Sequence, residues 1–190
     1  MPDKAYAIFY DSHDHYFYFP IKRTGDYAGF PQFFGGSIEQ NEKHIETISR
    51  ELKEESQNKF TLKSSISNDN FDLLHEGEIT LPNGNRMNLN FYIIIDDFNR
   101  PPNSEWQQPE DDAMISYIDL RNNDNNNDNN RKEMAYIVGI PAKSLESAGS
   151  IEIFLKTLHF SIEFVPAIAS KEFSESETKK AFMEAFNWED

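Results

Sequence analysis

The 190-residue chain contains no cysteine. Disulfides, thiolate metal sites and cysteine nucleophiles are therefore excluded. Basic charge is also short. There are 18 Lys and Arg against 33 Asp and Glu, a formal net charge of -15. Binding to a long nucleic acid needs cations to neutralise phosphates, so that class is disfavoured. Anionic membrane surfaces are disfavoured for the same reason. No apolar run approaches transmembrane length, so no membrane partner is expected. The start, MPDKAYAIFY, lacks the apolar core of a secretion signal. A reducing, cytoplasmic location is the expectation, although export without a signal would leave no trace.

Large rings are what the chain has in quantity. Phe occurs 16 times and Tyr 8 times, within a hydrophobic fraction of 38%. Such a composition supports a packed globular core rather than disorder. The length suits one domain over residues 1–190. Lys4 to Tyr10 and Tyr16 to Ile21 are rich in strand formers and flank a polar turn, which predicts a hairpin. A second hairpin is predicted from Phe71 to Leu81 and Met87 to Ile95, joined through Asn83-Gly84. Phe91 to Ile95 is continuously apolar, as in a strand buried on both faces. Ile115 to Leu120 reads as one more strand.

Ile45, Ile48 and Leu52 form one apolar stripe and predict a helix from about Glu42 to Ser56. Residues 122–130, NNDNNNDNN, cannot bury apolar area and read as a loop. Two amphipathic helices are predicted beyond it, at Ile151 to Phe160 and Glu175 to Trp188, in a C-terminal extension of about 141–190. The extension has no basic recognition helix. It could pair two copies of the chain or cover a site. Strands and helices mix without regular alternation, so the class is α/β or α+β.

Within the central helix, Glu51, Glu54 and Glu55 share one arc beside the apolar stripe. Like charges at these spacings cost a bare helix a few tenths of a kcal/mol per pair. A divalent cation would remove that repulsion. Carboxylate oxygens suit Mg²⁺ or Mn²⁺, which would keep waters and accept substrate phosphates. RELKEE alone is more often a solvated helix face.

The longer stretch from Gly36 to Asn58, GSIEQNEKHIETISRELKEESQN, resembles the Nudix box, G-x5-E-x7-R-E-U-x-E-E-x-G-U, where U is a bulky aliphatic residue. Gly36, Glu42, Arg50, Glu51, Leu52, Glu54 and Glu55 all match. Gln57 and Asn58 depart, standing for Gly and U. The resemblance implies an α/β/α sandwich with a mixed sheet. It also implies Mg²⁺-dependent hydrolysis of a diphosphate linkage in a small nucleotide. By the same resemblance Glu51, Glu54 and Glu55 are catalytic and hold the metal with the Gly36 carbonyl, while Glu42 and Arg50 form a supporting ion pair. Gly at position 57 would end the helix in the left-handed conformation. Gln does this poorly and Asn58 better, so a helix end shifted by one residue is expected, with Phe60 supplying the apolar contact.

The general base is either one of the helix carboxylates or one from the acidic run ahead of Ile115, where Glu110 and Asp112 are the candidates beside Asp111. Lys22 and Arg23 could contact a phosphate or cap a strand edge. Tyr27, Phe30 and Phe33 could stack on a base, with core packing as the competing role. Substrate markers known within the family are not evident. ADP-ribose, a nucleotide sugar or a dinucleotide is weakly favoured over a nucleoside triphosphate. The alternative is a Nudix-like module that binds a nucleotide or protein without cleaving it.

Overall fold

The computed structural model describes residues 1–23, 32–64, 71–80, 84–108, 116–121 and 133–141. The strands are β1 (Asp3–Asp11), β2 (Tyr16–Lys22), β3 (Phe34–Ser37), β4 (Thr61–Leu62), β5 (Phe71–Thr80), β6 (Arg86–Ile95), β7 (Phe98–Asn99), β8 (Ser116–Asp119) and β9 (Met134–Pro141). Helix α1 (His44–Glu55) lies between β3 and β4. The main sheet runs β5-β6-β1-β2-β9-β8, with β3 also paired to β1. β1 and β6 are parallel and the other pairs antiparallel, so the sheet is mixed. The fold is thus α+β, as its sequence pattern predicts.

Both predicted hairpins form, β1 with β2 and β5 with β6. β6 lies between β5 and β1, in keeping with its apolar run. β9 is not anticipated by the sequence reading. MAYIVGIP follows the Asn-rich run, yet it fills the sheet between β2 and β8.

Alternation along the strands sorts the side chains into two faces. Ala5, Ala7, Phe9, Tyr18, Ile94 and Ile137 join Ile48 and Leu52 of α1 and Phe60 in one cluster. Burying each such aliphatic side chain contributes about 1.5–3 kcal/mol. Ile8, Phe17, Phe19, Phe91 and Ile93 alternate with these on the opposite face and are equally buried. Among the described residues α1 is the one α-helix. The Asn-rich run and the predicted C-terminal helices lie outside the described residues.

α1 begins at His44, later than expected, because Glu42 belongs to the turn before it. The Glu42 amide donates to the Glu39 carbonyl at 3.0 Å, and its carboxylate accepts from the Glu39 amide at 3.1 Å. At the C-terminus, Gln57 itself takes the left-handed conformation (φ 54°), and so does Asn58 (φ 62°). The Gln57 amide donates to the Glu54 carbonyl and the Asn58 amide to the Lys53 carbonyl. These two bonds define a Schellman close, made here without glycine. The expected one-residue shift is therefore corrected. Gln57 is held by its own side chain, whose Nε2 donates to the Leu120 carbonyl at 2.9 Å. Phe60 does supply the apolar contact, fully buried in the cluster with Leu52.

One feature of the sheet prepares the site. The last residues of β1, Phe9–Asp11, pair with β2, while Lys4–Ala7 pair with β3. β2 and β3 leave the same side of β1 as two prongs. The outer prong, β2, continues along β9 to Lys22. The inner prong, β3, runs under α1. Where they diverge, the Gln32 amide donates to the Pro20 carbonyl at 2.8 Å. Among the described residues this is the one backbone bond between the prongs.

Candidate functional site

The inner prong is a bare strip of backbone. Gly35 has φ 144°, and a Cβ there would lie 2.1 Å from the Ala5 carbonyl oxygen. No side chain fits. A Cβ on Gly36 would lie 2.3 Å from Glu51 Oε1. The two glycines let α1 approach until its carboxylates touch the strand.

Glu55 is 8% exposed. Its Oε2 accepts the Gly35 amide at 3.1 Å. Burial pushes its carboxyl well above the usual range, and the charges of Glu51, Glu133 and Glu54 add to the rise. Glu51 is also raised, by burial first, against the opposing pull of Arg50. Glu54 is exposed, with Oε2 3.8 Å from Arg50 Nη1.

Arg50 ties the box together. Its Nε and Nη2 donate to the two oxygens of Glu42 at 2.9 and 3.1 Å. Nη2 also donates to the Ser37 carbonyl at 3.0 Å, and Nη1 to Glu51 Oε1 at 2.8 Å. Thr47 donates to Glu42 Oε2 at 2.6 Å. Hydrogen bonds from Arg50 and then Thr47 hold the Glu42 carboxyl down at about 2. Loop, strand end and helix are thus joined through one guanidinium, whose planar fork suits several acceptors at once.

The outer prong brings a residue that the sequence reading missed. The Arg23 amide donates to the Glu133 carbonyl at 2.8 Å, next to the Lys22–Met134 pair. The negative charge of Glu133 adds, behind burial, to the rise of both Glu51 and Glu55, so Glu133 lies within electrostatic reach of them. An acidic residue immediately ahead of a strand was its sequence signal, hidden behind the Asn-rich run. Lys22 and Arg23 sit at the tip of the same prong. Phe33 does not offer its ring to a ligand. It is 2% exposed, packed at 4.6 Å against Phe91 on the face away from α1. Tyr27, Phe30, Glu110, Asp111 and Asp112 lie outside the described residues.

Gln32 was also missed, because a glutamine beside apolar residues carries no pattern. Its side chain is 7% exposed, and Nε2 has no hydrogen-bond partner among the described residues. A buried donor left this way costs a fold about 1–3 kcal/mol.

Among the described residues no group of three Asp, Glu or His side chains is already gathered to hold an ion. Glu51 leans on Arg50 and Glu54 points outward. The donor chemistry nevertheless fits a hard divalent cation. Buried carboxylates repel one another beside a glycine strip where one of them rests on backbone. No helix among the described residues is long and apolar enough to cross a membrane.

No protein-family model matches the chain. No curated protein is similar in sequence. Solved structures are similar in shape. The Nudix domain of Shewanella oneidensis NrtR, solved with ADP ribose, matches with a TM-score of 0.52 at 10% identity, over 96% of this chain and 88% of that one. The E. coli ORF135 protein matches with a TM-score of 0.48 at 14% identity, over 89% of this chain and 88% of that one. A MutT Nudix hydrolase from Burkholderia pseudomallei matches with a TM-score of 0.40 at 18% identity, over 53% and 70%. The fold is that of the Nudix domain, and its structural neighbours are Nudix and MutT proteins.

Proposed function

We propose that the chain is a Mg²⁺-dependent hydrolase that splits the diphosphate linkage of a nucleoside diphosphate joined to a second moiety. One observation carries this reading. Glu51 and Glu55 of α1 meet across the Gly35-Gly36 strip, desolvated and mutually repelling, with Arg50 fixing the loop that carries them. Such a set costs stability in the bare protein and is repaid by a cation.

Glu51, Glu54 and Glu55 would hold the metal, with the Gly36 carbonyl. Bound there, Mg²⁺ or Mn²⁺ would polarise phosphoryl oxygens and lower the pKa of water. The chain's own residues do the rest. Arg50 and Glu42 keep the loop and helix in register. Lys22 and Arg23, on the outer prong, meet phosphate charge. Glu133, whose charge reaches Glu51 and Glu55, joins Glu110 and Asp112 as a candidate to take the proton from the attacking water. ADP-ribose, a nucleotide sugar or a dinucleotide is the favoured substrate class. The likeness to an NrtR domain solved with ADP ribose supports that preference.

The test is incubation with Mg²⁺ or Mn²⁺ and a panel of ADP-ribose, nucleotide sugars, dinucleotides and nucleoside triphosphates, with Glu55→Gln alongside. Cleavage that collapses in the variant supports the reading. The hold of Arg50 on Glu51 favours a second reading, a module that binds a nucleotide without cleaving it. Binding by the intact protein without turnover of any panel member would establish that one instead.

A further inference from the structure

We infer that Gln57, which stands where the Nudix pattern has glycine, is a positioning residue: its side chain ties the end of α1 to the end of β8 and so fixes the place of Glu133 relative to the carboxylates of α1. This rests on the metal-site reading above and adds to it a residue outside the carboxylate set.

The tie is a short relay of hydrogen bonds. Gln57 lies two residues beyond Glu55, the last residue of α1. Its Nε2 donates to the Leu120 carbonyl at 2.9 Å. The Leu120 amide in turn donates to the Ala135 carbonyl at 2.9 Å. Leu120 thus uses both of its backbone groups, one toward α1 and one toward β9. Two residues before Ala135 stands Glu133, whose own carbonyl accepts the Arg23 amide at 2.8 Å. The start of β9 is therefore held by β2 on one side and by β8 on the other, and Gln57 holds β8. Leu120 is fully buried in the cluster with Leu52 and Phe60, so the relay has little play.

Two features mark the tie as more than a helix stop. β8 has four residues and pairs with β9 at one end of the main sheet. The end of so short a strand opens readily unless something holds it. Gln57, for its part, keeps a left-handed backbone (φ 54°) at a cost that glycine would not incur. Glycine closes a helix at least as well but has no side chain to reach Leu120. The strained glutamine secures the placement of β8.

The relay delivers charge. Glu133 is exposed, and its charge adds to the rise of Glu51 and Glu55 behind burial. A divalent cation held by those two carboxylates is attracted by the same charge. Releasing β8 frees the first residues of β9 and weakens that attraction.

The experiment titrates Mn²⁺ calorimetrically into intact wild type, Gln57→Ala, Gln57→Gly, Glu133→Gln and the double variant Gln57→Ala/Glu133→Gln, with melting curves in chelator alongside. Glu133→Gln should lose about tenfold in Mn²⁺ affinity. Both Gln57 variants should lose about threefold, and equally, although the glycine variant melts higher than the alanine variant. In the Glu133→Gln background, Gln57→Ala should add less than about twofold. Wild-type Mn²⁺ affinity in either Gln57 variant, or in Glu133→Gln, overturns the inference. So does a loss that follows melting temperature, which would make Gln57 a structural group. A loss that adds fully to that of Glu133→Gln overturns it as well, because Gln57 would then act elsewhere. A wild type that binds Mn²⁺ but cleaves no diphosphate overturns the hydrolase reading alone. A wild type that binds no Mn²⁺ overturns both.

Discussion

The carboxylate of Glu51 rests directly on the backbone of Gly36, where a single added methyl group would come within 2.3 Å of Oε1. The obstructing atom is the far end of a flexible side chain, so it can move aside. Gly36→Ala should therefore fold, with a small change in stability, and turn Glu51 away. Hydrolysis and Mn²⁺ affinity should each fall about 10- to 100-fold. Calorimetric Mn²⁺ titration next to a melting curve checks this. Gly35→Ala should behave differently, because the collision there is with backbone. Overpacking and backbone strain together cost about 2–5 kcal/mol, visible as a lowered denaturant midpoint.

Glu55 sets a pH dependence in the metal-free protein. Burial keeps its carboxyl protonated to higher pH in the folded chain than in the unfolded one. The folded state therefore binds the extra proton, and stability falls as pH rises out of the ordinary carboxylate range. Glu55→Gln should remove this loss and melt higher than wild type at pH 8 in chelator. Glu42 has the opposite sign. Its carboxyl is held down at about 2, so its contribution is present at neutral pH and is lost as pH falls from ordinary carboxylate values toward that number. Glu42→Gln should flatten the acid side of the stability curve. Melting temperatures against pH for the three proteins decide both points.

Arg50→Lys should weaken the site more than its retained charge suggests. A lysine cannot reach Glu42, the Ser37 carbonyl and Glu51 together. Turnover should drop about 10- to 100-fold with substrate affinity less affected. Equal kcat in the two proteins would refute this role.

Gln57 separates backbone strain from side-chain bonding. Gln57→Ala keeps the left-handed backbone and loses the bond to the Leu120 carbonyl. Gln57→Gly loses the same bond and relieves the strain. The glycine variant should be about 1 kcal/mol more stable than the alanine variant in urea denaturation.

What the sequence made legible follows from how local each signal is. The box was readable because its charges recur at helical spacing within one segment, and both hairpins because turn chemistry sits between two strand patterns. β9 was not, since its partner β2 is more than a hundred residues away and pairing at that distance leaves no periodic mark. Glu133 inherits the same difficulty. Gln32 is the extreme case. Its burial exists only once the chain has folded and its amide has met Pro20 of β2. Phe33 took the core role of the two that its sequence left open, because a ring next to a functional loop looks alike in sequence whether it meets a ligand or the core.

Pro20 gives the forked sheet a property that no lining residue could. It offers Gln32 a carbonyl and has no hydrogen to give back, so the rung between the prongs can be made in one direction only. A return bond from Pro20 to the Gln32 strand is therefore excluded by covalent structure. The gap is written into a ring of covalent bonds instead of being wedged apart by bulk. Substitutions along either prong therefore leave this parting of the strands in place, because it depends on a backbone atom that Pro20 lacks.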